Sequence, residues 1–232
     1  MKLRIVEYWQ DLLRQEALAL KSLSYFNPFV HSLSSPSKTW LSARNSPFES
    51  AKAVIVARMI SGRYRCEALS THWSSSNGYC LAPSCSYVKG DIEHLLLLCP
   101  AVKDVRERML KMWESKTKIQ YPSLYDIMSR IMMSSPSYTV QFLLYPCSFR
   151  DIIALGQQHG QEIIDHVNYL TRTYVYYMHK IKQKIISKYQ TSSVPHNDKR
   201  SDTLSFVLGK PGDDLALMTT PATPLPSEGW MK

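Results

Sequence analysis

Residues 78–100, GYCLAPSCSYVKGDIEHLLLLCP, set Cys80, Cys85, His94 and Cys99 in the pattern Cys-x4-Cys-x8-His-x4-Cys. Few folds bring three sulfurs and an imidazole together from so short a stretch unless those side chains share a metal. Zinc takes thiolate and imidazole ligands in a tetrahedron, and structural zinc sites draw all four from the protein. The spacing suits that geometry. Between Cys80 and Cys85 lies a tight loop containing Pro83. Asp91 is a good N-cap for a short helix carrying Ile92 to Leu98, which places His94 in its first turn and Cys99 at its end. Pro100 then redirects the chain. A closed Cys3His set leaves no position for water, so the expected role is structural. Ordinary buried cysteines, with a histidine on an apolar helix, are the plainer alternative.

Cysteine usage points the same way. The chain has five cysteines, Cys66, Cys80, Cys85, Cys99 and Cys147, an odd number that fits metal ligation better than a disulfide framework. The first residues, MKLRIVEYWQDLLRQEAL, scatter charges and lack the apolar core of a secretory signal. No apolar run approaches the length of a membrane span, so no membrane partner is expected, and the expected residence is intracellular, nuclear or cytoplasmic. Cys66 and His72 are spare ligand types nearby, expected to be packed or surface residues because the four-ligand set is already complete.

Most of the remaining chain reads as helix, so the expected class is mostly α: a helical bundle with a small Cys3His zinc knuckle, at most a short hairpin, and a disordered C-terminal tail. Val6, Trp9, Leu13 and Leu20 have helical spacing over 3–23, and a Ser/Pro-rich linker follows. Ser46 as N-cap, Pro47 at the first helical position and Glu49 completing a capping box open a second helix, with Ala51, Val54, Ile55 and Met59 as its apolar stripe. Gly62 can end it in a left-handed conformation. Pro100 opens a third helix with Val102, Val105, Met109 and Met112 inward, and LYDIMSRIMM adds another before the break at 134–136. The longest helix is expected over 160–188, where Ile163, Val167, Leu170, Tyr174, Tyr177, Ile181 and Ile185 step by four and three. Its Lys180, Lys184 and Lys188 recur on another face. The predicted segments are an N-terminal helix and linker (1–45), a helix with the knuckle (46–118), a helical segment (119–189) and a loose Ser/Thr/Pro/Asp-rich tail (190–232).

Charge suggests the partner. With 28 basic and 19 acidic residues the chain carries +9, an excess that favours polyanions. The excess is concentrated: residues 58–118 hold ten basic and six acidic side chains, and 172–200 hold seven and one. Around the knuckle, Arg58, Arg63, Arg65, Lys89, Lys103, Arg106 and Lys111 are the candidate nucleic-acid contacts. Tyr64, Trp73 and Tyr79, interleaved with them, could stack on unpaired bases or form a small core under the knuckle.

NSPFESAKAVIVARMISGRYRCEALSTHW, followed by GYCLAPSC and DIEHLLLLCPA, resembles the region C-terminal to the polymerase in LINE-type (non-LTR) retrotransposon reverse transcriptases. In that family a helical segment leads into a "GRYR-x-E" stretch, here Gly62 to Glu67, then a zinc-binding Cys-Cys-His-Cys motif, then more helices. The resemblance extends over about residues 40–185. It implies zinc ligation by Cys80, Cys85, His94 and Cys99, and a role in holding RNA or DNA during target-primed reverse transcription. The Tyr/Phe-x-Asp-Asp turn of a polymerase is missing: Asp213 and Asp214 stand in the tail without flanking strands. The acids Asp126, Asp151, Glu162 and Asp165 are scattered, and no lysine accompanies them as the endonuclease of some relatives would require. The chain reads as a non-catalytic C-terminal piece. A helix-mediated protein-interaction module, or a decayed mobile-element fragment, is the alternative.

Overall fold

The computed structural model describes residues 46–67 and 77–192, with Tyr8, Asp11, Leu12, Gln15, Glu16, Ala19 and Tyr25 before them. Most of the expected helix over 3–23, the linker, His72, Trp73 and the tail beyond Ser192 lie outside the described residues. What is described is mostly α. Among the described residues from Pro47 on, six α-helices run in order: α1 (Pro47–Ile60), α2 (Lys103–Gln120), α3 (Pro122–Met132), α4 (Pro136–Leu144), α5 (Arg150–His159) and α6 (Gln161–Ser192).

Proline punctuates this chain. It stands in the first turn of α1, α3 and α4 and of the short 3-10 turns at Pro100–Val102 and Pro146–Ser148, positions whose N–H has no intrahelical partner to lose. Ser46 caps α1 by accepting from the Glu49 N–H at 3.5 Å, and Ser135 does the same for α4 from Tyr138 at 3.4 Å. Gly62, at φ 67, follows α1 in the left-handed conformation. Gly160, at φ 94, separates α5 from α6.

Two details of α1 differ from expectation. The Glu49 carboxylate binds Lys52 at 2.6 Å and Arg172 of α6 at 3.3 Å, so it serves as an ionic anchor between helices. The buried face is Lys52, Ala53, Ile55, Val56, Met59 and Ile60, which leaves Ala51 exposed. Pairing with Glu49 and a 3.0 Å bond to Thr173 satisfy the buried Lys52 ammonium, and that turns the helix toward α6.

The 32-residue α6 is the central element, in contact with α1, α2, α4, α5 and the knuckle. Its apolar stripe is used inside the molecule. Ile163, Val167, Leu170 and Tyr174 are buried, and Tyr177, Ile181 and Ile185 pack against the same core at half burial. One apolar cluster runs from Ile55 to Met178 and includes Cys85, Ile92, Leu95, Leu96 and Cys99 of the knuckle. The knuckle is therefore built onto the bundle core. No helix among the described residues is long and apolar enough to cross a membrane.

Candidate metal centre

The loop from Gly78 to Gly90 closes as a narrow ribbon. Tyr79 and Lys89 pair in an antiparallel bridge, with the Cys80 N–H donating to the Val88 carbonyl at 2.8 Å and Gly90 to Gly78 at 3.0 Å. Cys85 donates its N–H to the Ala82 carbonyl, which tightens the turn between the first two ligands. Asp91 caps the segment that follows, its carboxylate accepting from the His94 N–H at 2.8 Å.

That segment does not continue as an α-helix. His94–Leu98 is wound as a π-helix, closed by a bond from the Cys99 N–H to the His94 carbonyl at 2.6 Å. The winding has a chemical purpose. Residues five apart on an α-helix point about 140° away from each other. The wider π turn brings them toward one side, and such turns recur at functional sites. His94 and Cys99, five apart, thus face the same point. Cys99 then leaves with ψ 118, and the Pro100–Val102 turn leads into α2.

The four ligand atoms of Cys80, Cys85, His94 and Cys99 lie within 4.8 Å of one another, and His94, Cys85 and Cys99 are buried. The sulfur of Cys99 stands 3.5 Å from that of Cys85 and 4.0 Å from that of Cys80. A tetrahedral ion with metal–sulfur bonds of about 2.3 Å sets its sulfurs about 3.8 Å apart, whereas a disulfide needs about 2.05 Å. None of the five cysteines is joined in a disulfide. Neither ring nitrogen of the buried His94 finds a hydrogen-bond partner from the protein, a costly arrangement that a metal relieves. The thiols add to this. A hydrogen bond to Cys99, with burial, pushes the Cys80 thiol up to about 12, burial raises Cys85, and the bond from Cys80 lowers Cys99. Three sulfurs this close resist ionising together, and a divalent cation reverses that preference. The residues present fit a metal ion. They are the only such group of three or more His, Cys, Asp or Glu side chains among the described residues.

The GRYR-x-E stretch docks the knuckle to α6. Tyr64 is buried, and its hydroxyl bonds His179 Nδ1 at 3.0 Å. Glu67, also buried, pairs with Lys182 at 2.7 Å, and the same ammonium reaches the Arg65 carbonyl at 3.4 Å. Glu67 lies so close to Gly90 that a β-carbon there would come within 2.8 Å of Glu67 Cβ and 3.1 Å of the Cys80 nitrogen. On the far side of the knuckle, Tyr174 of α6 donates to the Leu96 carbonyl inside the π turn at 2.6 Å.

The expected basic residues separate into groups. Arg58, Arg63 and Arg65 are exposed, the last two flanking the inward Tyr64. Lys89 is exposed and holds Asp91 at 3.2 Å. Lys103 is exposed but tied to Glu107 at 3.8 Å, and Lys111 lines a groove between α2 and α3. Arg106 is half-buried and donates to the Cys99 carbonyl at 3.3 Å, so it braces the knuckle. Of the expected stackers, Tyr64 belongs to the core and Tyr79 is exposed. Cys66 is buried outside the ligand cluster. The sequence pattern singled out neither Tyr87 nor Lys182, and it marked Glu67 only as the end of the GRYR-x-E stretch. The acid three residues after Tyr64 was the available signal for the last pair.

No protein-family model, curated protein or solved structure matches this chain.

Proposed function

We propose that this chain is a non-catalytic, zinc-stapled nucleic-acid-binding module, of the kind that follows the polymerase in LINE-type reverse transcriptases. Zinc is the reading for the ion because three thiolates and an imidazole in a closed tetrahedral set match its preferences. The observation that carries the nucleic-acid reading is the alternation at 63–66. Tyr64 and Cys66 are buried, so Arg63 and Arg65 stand outward on a segment fastened by Glu67 and Lys182. Side chains held this way meet phosphates at low entropic cost. Glu67, the acid of this segment, is engaged in an ion pair with Lys182 of α6, and Asp91 is paired with Lys89.

The test is a salt titration of binding to labelled single-stranded RNA by zinc-loaded protein. Affinity should fall log-linearly with salt, with a slope of about −3 for four phosphate contacts. Arg63→Ala with Arg65→Ala should reduce that slope by about 1.4, since each single-strand contact contributes about 0.7. A folded, zinc-loaded protein that binds no strand at low salt refutes the reading.

A further inference from the structure

The most exposed aromatic side chain of the knuckle sits where an aromatic side chain is least expected. Tyr87 has φ 58, and it is the only described non-glycine residue with a positive φ. Left-handed backbone is unfavourable for a bulky L-residue, and glycine or asparagine is the usual occupant. Tyr87 is nevertheless 83% exposed, so burial of its ring does not offset the strain. The strain does have a result: the ring projects from the turn that the Val88 N–H closes on the Cys85 carbonyl at 3.3 Å. There it meets Tyr79, 40% exposed, with ring centroids 5.9 Å apart and planes at 82°. Val88, 42% exposed, lies between Tyr87 and the bridge.

The mount is rigid. Tyr79 precedes the ligand Cys80, and Tyr87 follows the ligand Cys85 by two residues. Between them run the bridge and the Cys80–Val88 hydrogen bond. Charge flanks the pair. Lys89, directly across the bridge from Tyr79, keeps its side chain 72% exposed, and its pairing with Asp91 is of the weak surface kind. Gly90, the residue after Lys89, abuts Glu67, so the end of the segment that bears Arg63 and Arg65 lies against the ribbon. Two exposed rings on a fixed loop, bordered by cations, match a surface that takes bases on its aromatic faces and phosphates along its rim. A duplex keeps its base faces stacked and hidden, so the fitting ligand is a single strand.

We propose that Tyr79 and Tyr87 form a stacking platform for unpaired bases, with Lys89, Arg63 and Arg65 holding the adjoining phosphates. This rests on the nucleic-acid reading above and names the strand state and the residues that read it.

The test uses the full zinc-loaded chain and three labelled probes: a twelve-nucleotide uridine RNA, an abasic strand of equal charge, and a duplex of equal length. The wild type should bind the uridine strand roughly tenfold or more tighter than the abasic one, within the range of stacking on one or two bases. Tyr87→Ala and Tyr79→Ala should each remove most of that gap without altering the salt slope, and Tyr87→Phe should retain it. Tyr87→Gly adopts φ 58 without strain, so its loss of uridine binding cannot be ascribed to misfolding. If the wild type binds the uridine strand but Tyr87→Ala and Tyr87→Gly bind it equally well, the platform is wrong and the nucleic-acid reading stands. Equal binding of uridine and abasic strands by the wild type also overturns the platform. Binding of none of the three probes overturns both.

Discussion

At the scale of single residues, the knuckle depends on contacts that its ligands do not make. Gly90 has no room for a side chain between Glu67 and the Cys80 nitrogen, and one of those walls is backbone. Gly90→Ala should therefore destabilise the protein by about 1–3 kcal/mol. It should also weaken metal affinity, and a chelator competition with a thermal melt reads both; an unchanged melting point would show that the contact is looser than it looks. Glu67 and Lys182 make the complementary case. Lys182→Ala removes one half of a buried ion pair and should cost about 3–5 kcal/mol, whereas Glu67→Gln with Lys182→Met should recover most of the loss in urea unfolding. His179 sets a pH response. Burial, then the cations Lys182, Lys180 and Arg58, depress it to about 4, and the Tyr64 hydroxyl faces it from the other side. Its folded value lies below its ordinary one, so on acidification the unfolded chain takes up the proton first. Its contribution is fully present above about pH 6.5 and is lost as pH falls towards 4. His179→Gln should flatten that part of the stability profile relative to wild type, and an equal slope in both proteins would contradict the assignment. Much at this scale could be read from the chain: the Ser46 cap, the Asp91 cap and the four ligands each follow from local spacing. Lys52 could not, because helical periodicity assigns a lysine to solvent, and its partner Thr173 and the anchoring Arg172 lie more than a hundred residues away.

At the scale of elements, boundaries were legible where proline or glycine marks them. The expected longest helix, 160–188, is Gln161–Ser192, and its start is fixed by Gly160. A side chain at Gly160 would meet nothing within 4 Å, yet φ 94 is strained for any L-residue. Gly160→Ala should therefore lower stability by about 1–2 kcal/mol through backbone strain alone. A neutral result in urea unfolding would mean that the α5–α6 turn relaxes to negative φ. The π winding at His94–Leu98 was not legible. Four consecutive leucines carry no period, so the pattern that separates inward from outward positions elsewhere says nothing there. The ribbon was anticipated only as a possible short hairpin, and the left-handed Tyr87 had no signal, since no glycine or asparagine announces it.

At the scale of the whole molecule, the mostly α class and the Cys3His cluster were visible in the chain. The merging of knuckle and bundle into one apolar cluster was not, because α6 lies about eighty residues downstream of the ligands it supports. Metal removal should therefore be felt beyond the knuckle. Cys85→Ser or His94→Ala should abolish stoichiometric metal binding and lower the melting point, and amides of 78–102 should lose hydrogen-exchange protection first. A variant that kept its full helical signal and melting point in the presence of chelator would exclude a structural ion. The bond from Tyr174 to the Leu96 carbonyl carries a last consequence, one of portability. A zinc finger that folds alone can be moved between proteins as a cassette. Here the turn that aims two ligands has one of its carbonyls satisfied by a tyrosine from another part of the chain, so a transplanted 77–102 segment would take the ligands and leave their support behind.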